Sequence, residues 1–234
     1  MDTSTAPAVL PPLSPIATSA SLRDQAYAAL KHMIIDADIY AHPEEIRLDE
    51  KQLSLALGVS RTPIREAMTL LEQEGFLRTA PRRGVFIVKK TKQQIIEMIE
   101  VWAALESMAA RLATLNASDA DIGALRHMFD EFHTLAPAEH LHEYSDANIA
   151  FHQAIIRLSG SRLISQTIEN LFIHVRAIRQ MTISQKDRAT RSIADHMRII
   201  EALERRDTEL AERLAREHTL GLAAHVEKNV TYLD

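Results

Sequence analysis

Apolar residues recur at helical spacing along most of the chain, and the places where the spacing breaks mark its organisation. In residues 22–36, LRDQAYAALKHMIID, the positions Leu22, Ala26, Ala29, Leu30, Met33 and Ile34 fall on one side of a helix. A loop, AHPEEIRL, leads to Asp49, a suitable N-cap for a short helix ending near Leu57. Gly58 interrupts the chain, and Ser60 can cap a second helix reaching about Gln73. Pro63 falls in the first turn of that helix, where its missing N–H does no damage, and Gly75 supplies a C-terminal stop. The texture then changes to FLRTA and GVFIVKK, two short strands joined by PRRG. Helix, helix-turn-helix and β-hairpin in this order predict a winged helix-turn-helix. Its third helix is free to enter a major groove, and the hairpin forms the wing.

From Thr91 onward the pattern is amphipathic helix. TKQQ predicts a capping box that opens a helix running to about Leu115, and Ser118, with Asp119 and Asp121 behind it, starts another. Later helices are bounded by Pro137, by Gly160 with Ser161, by Ser184, and by RRD at 205–207. The expected fold is mainly α: a winged helix-turn-helix over residues 21–90, then an all-helical antiparallel bundle over residues 91–234. Residues 1–20 carry four Pro and no Lys or Arg, which predicts a disordered tail and not a secretory signal.

Composition adds little to this picture. A chain of 234 residues with 46% hydrophobic and 25% charged residues is an ordinary globular protein of two modest domains. The absence of Cys excludes disulfides, thiolate metal sites and Cys nucleophiles, and fits a reducing cytoplasm. No apolar run reaches bilayer length, so a cytoplasmic protein without a membrane partner is expected.

Charge changes the picture more. The formal net charge is -5, yet residues 58–90 hold Arg61, Arg65, Arg78, Arg82, Arg83, Lys89 and Lys90 against only Glu66, Glu72 and Glu74. The helical part carries 16 basic and 21 acidic residues. A basic excess confined to one segment predicts a polyanion partner for that segment, double-stranded operator DNA. Arg61 and Arg65, four apart, share a helical face, and Thr62 can reach a phosphate or base from the same end. Arg82, Arg83 and Gly84 form a wing tip small and basic enough for a minor groove. Any one of these arginines alone reads equally well as a solvated surface residue; the ordered set on this scaffold points to DNA.

Nine of the 11 histidines lie in the helical part. NIAFHQAI puts Asn148 and His152 one turn apart on the same face. ADHMRIIEAL supplies His196 and LAREHTLGL supplies His218, a separation that suits two antiparallel helices with their rings at similar depth. Three imidazoles and an oxygen are a reasonable divalent-metal set with room for exchangeable positions. Spacing alone leaves open that each is a hydrogen-bonded core or surface histidine.

The segment LALGVSRTPIREAMTLLEQEGFLRTAPRRGVFIV resembles the DNA-binding domain of the GntR family of bacterial transcription regulators. That resemblance implies Lys51, Arg61, Thr62, Arg65, Arg82 and Gly84 as DNA contacts. One departure is HPEEIRL, where the family usually has a Pro-Gly turn before RL. ALESMAARLA, FHQAI, HMRIIEALERRD and AREHT resemble the FadR-type, or FCD, effector domain of such regulators. Many members of that group bind a metal through one Asp and three His, which implies Asn148, His152, His196 and His218 here. The implied ion is divalent, zinc first, with nickel or manganese as alternatives. Asn148 stands where Asp is common and brings no charge, and Asp146 points to a different helical face. Trp102 stands where many relatives have an Arg for an acidic effector, and His174, Arg176 and Arg179 of FIHVRAIRQ could take over that role. These four are the effector-binding candidates, with a solvated helix stripe as the plainer alternative for the last three.

The expected function is that of a homodimeric, metabolite-responsive regulator. A small carboxylate effector would alter the spacing of two winged domains on their operator. The alternative is a metal-dependent enzyme using the three-histidine site, although no H-E-x-x-H helix or nucleophile motif accompanies it. A structural DNA-binding module without a ligand would leave the histidines unused.

Overall fold

The computed structural model describes residues 21–37, 39–40, 44–133, 140–185, 187–231 and 233. The tail expected over residues 1–20 and the break expected at Pro137 lie outside them.

The first helix, α1 (Leu22–Asp36), is capped by the Ser21 hydroxyl, which accepts from the Asp24 amide. Its buried stripe is narrower than the pattern suggested. Ala26, Leu30 and Ile34 are buried, whereas Leu22 and Met33 face solvent, because α1 packs chiefly on one neighbour, α3. In α2 (Glu50–Leu57) the Asp49 carboxylate accepts from the amides of Lys51 and Gln52, and Gly58 closes the helix at φ 66°. Ser60 stands at the N-cap of α3 (Arg61–Gln73), although its hydroxyl makes no capping bond. The buried face of α3 is Ile64, Ala67, Met68 and Leu71, which leaves Arg61, Thr62 and Arg65 on the other side.

Strands β2 (Leu77–Ala80) and β3 (Gly84–Ile87) form the expected hairpin, turning through Arg82 at φ 64° and Gly84 at φ 114°. The second angle is one that only glycine adopts without strain. The AHPEEIRL segment is not wholly a loop. Its Arg47 and Leu48 form a strand, β1, that pairs antiparallel with β3, giving a three-stranded sheet of order β1-β3-β2. Two residues are too few to show alternation, and their pairing is made by a partner far along the chain.

The second half is helical throughout its described residues. It comprises α4 (Lys92–Asn116), α5 (Asp119–His127), a short 3-10 turn (Asp130–His133), α6 (Leu141–Leu158), α7 (Arg162–Ile183), α8 (Arg188–Glu204) and α9 (Thr208–Asn229). The Thr91–Gln94 capping box opens α4, Ser118 caps α5 and Ser161 caps α7, as their sequence positions predict. Helix α4 is the central element, packed along α9 and crossed by α6 and α7. Small residues at the seam, Ala103, Ala110 and Ala113 on α4 with Ala211 and Ala215 on α9, let the backbones approach closely. The RRD turn carries Arg206 at φ 56°, and its guanidinium donates to the carbonyls of Thr114 and Ala117, at the C-terminal end of α4. Among the described residues no helix is long and apolar enough to cross a membrane.

Candidate metal centre and nucleic-acid surface

Helices α6, α8 and α9 each contribute one histidine to a single cluster. One ring nitrogen from each of His152, His196 and His218 lies within 4.8 Å of the others. The Nε2 atoms of His196 and His218 are 3.1 Å apart. Each ring is held from behind through Nδ1: His152 by the Glu106 carboxylate, His196 by the Tyr144 hydroxyl at 3.4 Å, and His218 by the Asp195 carboxylate at 3.4 Å. A carboxylate acceptor on Nδ1 fixes the His152 and His218 rings and turns their Nε2 lone pairs inward, the support that metal-binding histidines require, while the Tyr144 hydroxyl positions the His196 ring. Burial pushes the pKa of all three imidazoles below the ordinary value, so they stay neutral and able to donate.

Glu106 was not among the predicted site residues. It is 1% exposed and accepts from Trp102 Nε1 at 2.9 Å, from the Thr219 hydroxyl at 2.6 Å, and from His152. Burial raises its pKa, and the nearby Arg179 charge is the main opposing influence. The available signal was a carboxylate within the apolar stripe Ile95, Ile99, Trp102, Ala109 and Ala113 of α4. Such a residue must meet donors from elsewhere in the fold.

The four effector candidates separate. Arg179 reaches the cluster, with Nη1 2.6 Å from His152 Nε2, while its Nε and Nη2 have no partner among the described residues. Trp102 supports the site from behind, stacked on Phe172 and bonded to Glu106. His174 and Arg176 point elsewhere. His174 Nδ1 lies 2.7 Å from the Tyr40 hydroxyl, and burial holds its pKa down to about 4. Arg176 donates to the Ile35 carbonyl at 2.9 Å and the Asp36 carboxylate at 3.0 Å. Both therefore join α7 to the winged half and do not line the histidine cluster. With His174 and Arg179 buried, the stripe is not a solvated one.

Asn148, one turn before His152 on α6, is 1% exposed, and its Oδ1 finds no partner among the described residues. Asp146 is exposed and faces His142 instead. Three neutral nitrogens with a buried, uncommitted amide oxygen make a donor set that fits a divalent cation. The Arg179 guanidinium now uses the His152 lone pair, so an ion at this place requires Arg179 to swing aside or to share an anion with the ion.

The winged half puts charge outside. Lys51, Arg61, Thr62, Arg82 and Arg83 are exposed, and Gly84 is half-buried in the wing. Arg65 is exposed and held by Glu50 at 2.7 Å, while Arg83 stacks 5.5 Å from the centre of the Phe86 ring. Arg78 and Lys89 are engaged with Glu45 and the Glu44 carbonyl, which removes them from the free basic surface.

The family model described as FCD domain matches residues 97–221, and the model described as bacterial regulatory proteins, gntR family, matches residues 22–87. The chain is 29% identical over 190 residues to YdhC, an HTH-type transcriptional regulator of Bacillus subtilis, covering 81% of this chain and 84% of that protein. It is 26% identical over 181 residues to the HTH-type transcriptional repressor RspR of Escherichia coli, covering 77% and 79% respectively. The solved structure of E. coli McbR/YncC has a TM-score of 0.72 and 25% identity, covering 90% of this chain and 99% of that one.

Replacing Glu106 with Gln leaves its size unchanged but puts an N–H donor where His152 needs an acceptor. The expected result in metal-free buffer is a loss of about 1–3 kcal/mol in unfolding free energy, with a change in the His152 tautomer. Denaturant melts and imidazole nitrogen shifts measure both, and an unaltered tautomer would refute the orienting role of Glu106.

Proposed function

We propose a metal-dependent sensor of a small anion, starting from the premise that the chain belongs to the GntR family of bacterial regulatory proteins and carries an FCD domain. As a member of that family it is a DNA-binding transcription regulator. The observation that carries the finer reading is the meeting of three buried imidazoles from α6, α8 and α9, with the half-used Arg179 guanidinium against one of them and the uncommitted Asn148 oxygen one turn before His152 on α6.

His152, His196, His218 and Asn148 would hold the ion, which we assign as zinc ahead of nickel or manganese because neutral imidazole donors suit it. When bound, such an ion offers a Lewis-acidic position for a carboxylate oxygen. Arg179 gives the same carboxylate a charge-assisted hydrogen bond. Glu106 is not available as a catalytic base, because three donors engage it behind His152, and this argues against the enzyme reading.

Helix α7 links this site to DNA. It carries Arg179 at the cluster and, within the preceding five residues, Arg176 and His174 at the junction with α1 and Tyr40. The Tyr40 hydroxyl also accepts from the Lys90 amide at 3.4 Å, where the chain passes between the halves. A shift of Arg179 toward an anion is thereby felt at the end of α1. On the outer side of α4, Val101, Ala104, Met108 and Leu115 form an exposed apolar seam at heptad-like spacing, which supports pairing of two copies. Lys51, Arg61, Thr62, Arg65, Arg82, Arg83 and Gly84 of each copy would then face one half-site.

Three measurements test these roles. On a DNA fragment selected by the wild type and on its scrambled version, Arg61→Ala and Arg82→Ala should each lower the salt dependence of binding by about one unit of slope. Arg65→Ala should reduce the preference for the selected fragment by roughly 1–3 kcal/mol. Unchanged affinities for both DNAs would remove this helix and wing from the interface.

His196→Ala and His218→Ala should each lose most bound metal by elemental analysis. Asn148→Asp should bind metal more tightly and gain a larger rise in melting temperature on metal addition, because a carboxylate adds negative charge and binding favours the folded state. A wild type that melts identically with metal and with chelator would overturn the metal site.

Tyr40→Phe and Arg176→Ala should leave metal content intact. Each should shrink the difference in DNA affinity between metal-loaded and chelator-treated protein by about 0.5–2 kcal/mol. A full difference retained in both variants would exclude this junction as the route.

A further inference from the structure

One face of the three-stranded sheet is built around a single ring, Phe86. Arg47 of β1 and Arg78 of β2 stand opposite it on either side of β3, so the three side chains share that face. Arg78 and Arg83 lie over the ring at 5.0 and 5.5 Å, and both are paired with Glu45. Arg47 differs from them. It is exposed and, among the described residues, meets no carboxylate at ion-pair distance.

Its guanidinium crosses Gly84 instead. A Cβ on Gly84 would stand 2.7 Å from Arg47 Nε, 3.3 Å from Nη2 and 3.4 Å from Cζ, the first closer than packed side chains come. Gly84 is therefore needed twice, for its φ of 114° and for the room it leaves the guanidinium. The other neighbour of Arg47 is the start of α2. Asp49 caps that helix through the amides of Gln52 and Lys51. The Gln52 bond chiefly lowers its pKa, and the Lys51 bond and the charges of Arg47 and Arg61 add to this. Both guanidiniums thus lie within reach of one carboxylate, which is itself committed to the cap. Arg47 accordingly stands between Gly84 at the wing and Arg61 at the start of α3. A duplex that takes α3 into its major groove and the wing into the adjacent minor groove passes the sugar-phosphate strand between them across this point.

We propose that Arg47, seated on Gly84, is a phosphate contact that joins the α3 and wing footprints on DNA. An exposed guanidinium laid against backbone gives up no carboxylate when it meets a phosphate. Arg65, Arg78 and Arg83 must each loosen an existing pair to do the same. The contact carries no sequence information, because phosphates are alike at every base pair. This rests on the placement of α3 and the wing proposed above, and adds to it a residue that fixes their common register.

The test titrates the full-length protein on the selected fragment and on its scrambled version across a salt series. Arg47→Ala should lower the salt slope by about one unit and weaken binding to both DNAs by the same factor. Arg47→Lys keeps the charge and should keep the slope. Gly84→Ala should weaken binding more in the wild type than in the Arg47→Ala background, where the new Cβ meets no guanidinium. Melting curves establish that each variant is folded. A wild-type slope in Arg47→Ala, a loss confined to the selected fragment, an equal loss of slope in Arg47→Lys, or an equal cost of Gly84→Ala in both backgrounds overturns the proposal. If Arg61→Ala and Arg82→Ala lower the slope while Arg47→Ala does not, the placement on DNA stands and Arg47 is no part of it. If none of the three changes the slope, both fall.

Discussion

A carboxylate with almost no access to water, Glu106, is the constraint around which the helical half is organised. A buried charge left unanswered costs several kcal/mol, so every helix that approaches it must bring something. Trp102 supplies a donor from the same helix, Thr219 from α9 and His152 from α6, and Arg179 brings the opposing charge from α7. Alanine-rich faces such as those between α4 and α9 pack closely but discriminate weakly between registers. The polar contacts at Glu106 distinguish one register, because a slip of one turn would separate the carboxylate from its donors.

The same group prepares the site chemically. By engaging His152 Nδ1, Glu106 leaves Nε2 as the lone-pair side, Asp195 does the same for His218, and the Tyr144 hydroxyl holds the His196 ring. Three neutral imidazoles then stand beside one guanidinium, whose charge Glu106 opposes but whose Nε and Nη2 have no partner among the described residues. Unused buried donors cost the fold stability, and the proposed ion and anion would use them. Arg179 lies on the helix that also carries His174 and Arg176, so the proposed ligands would act on an element that reaches the junction with the winged half.

The winged half uses arginine in the opposite way. Its core of Ile64, Met68, Leu71, Phe76 and Ile87 is apolar, and the basic side chains stay outside. Exposed arginines can exchange solvent for phosphate at little desolvation cost, which suits reversible contact with DNA. Buried arginines such as Arg179 keep one partner and discriminate strongly.

Much of this was legible before any coordinates. The caps at Asp49, Thr91, Ser118 and Ser161, the left-handed glycines at 58 and 75, and the hairpin around PRRG are short-range features that depend on neighbours a few residues away. The grouping of His152, His196 and His218 followed from helical spacing together with a family resemblance. Strand β1 was not legible, because its two residues gain their conformation from β3, nearly forty residues on. Nor could the stripe on α7 be divided: His174, Arg176 and Arg179 look alike in sequence, and only the elements packed against each decide which one meets the cluster. Glu106 lay in plain view as a charge within an apolar stripe, but its partners on other helices stand 46 and 113 residues away. Local chemistry therefore determined the elements and the candidate ligands. The tertiary structure alone decided which charges are buried together, because burial is a property of the surroundings and not of the residue.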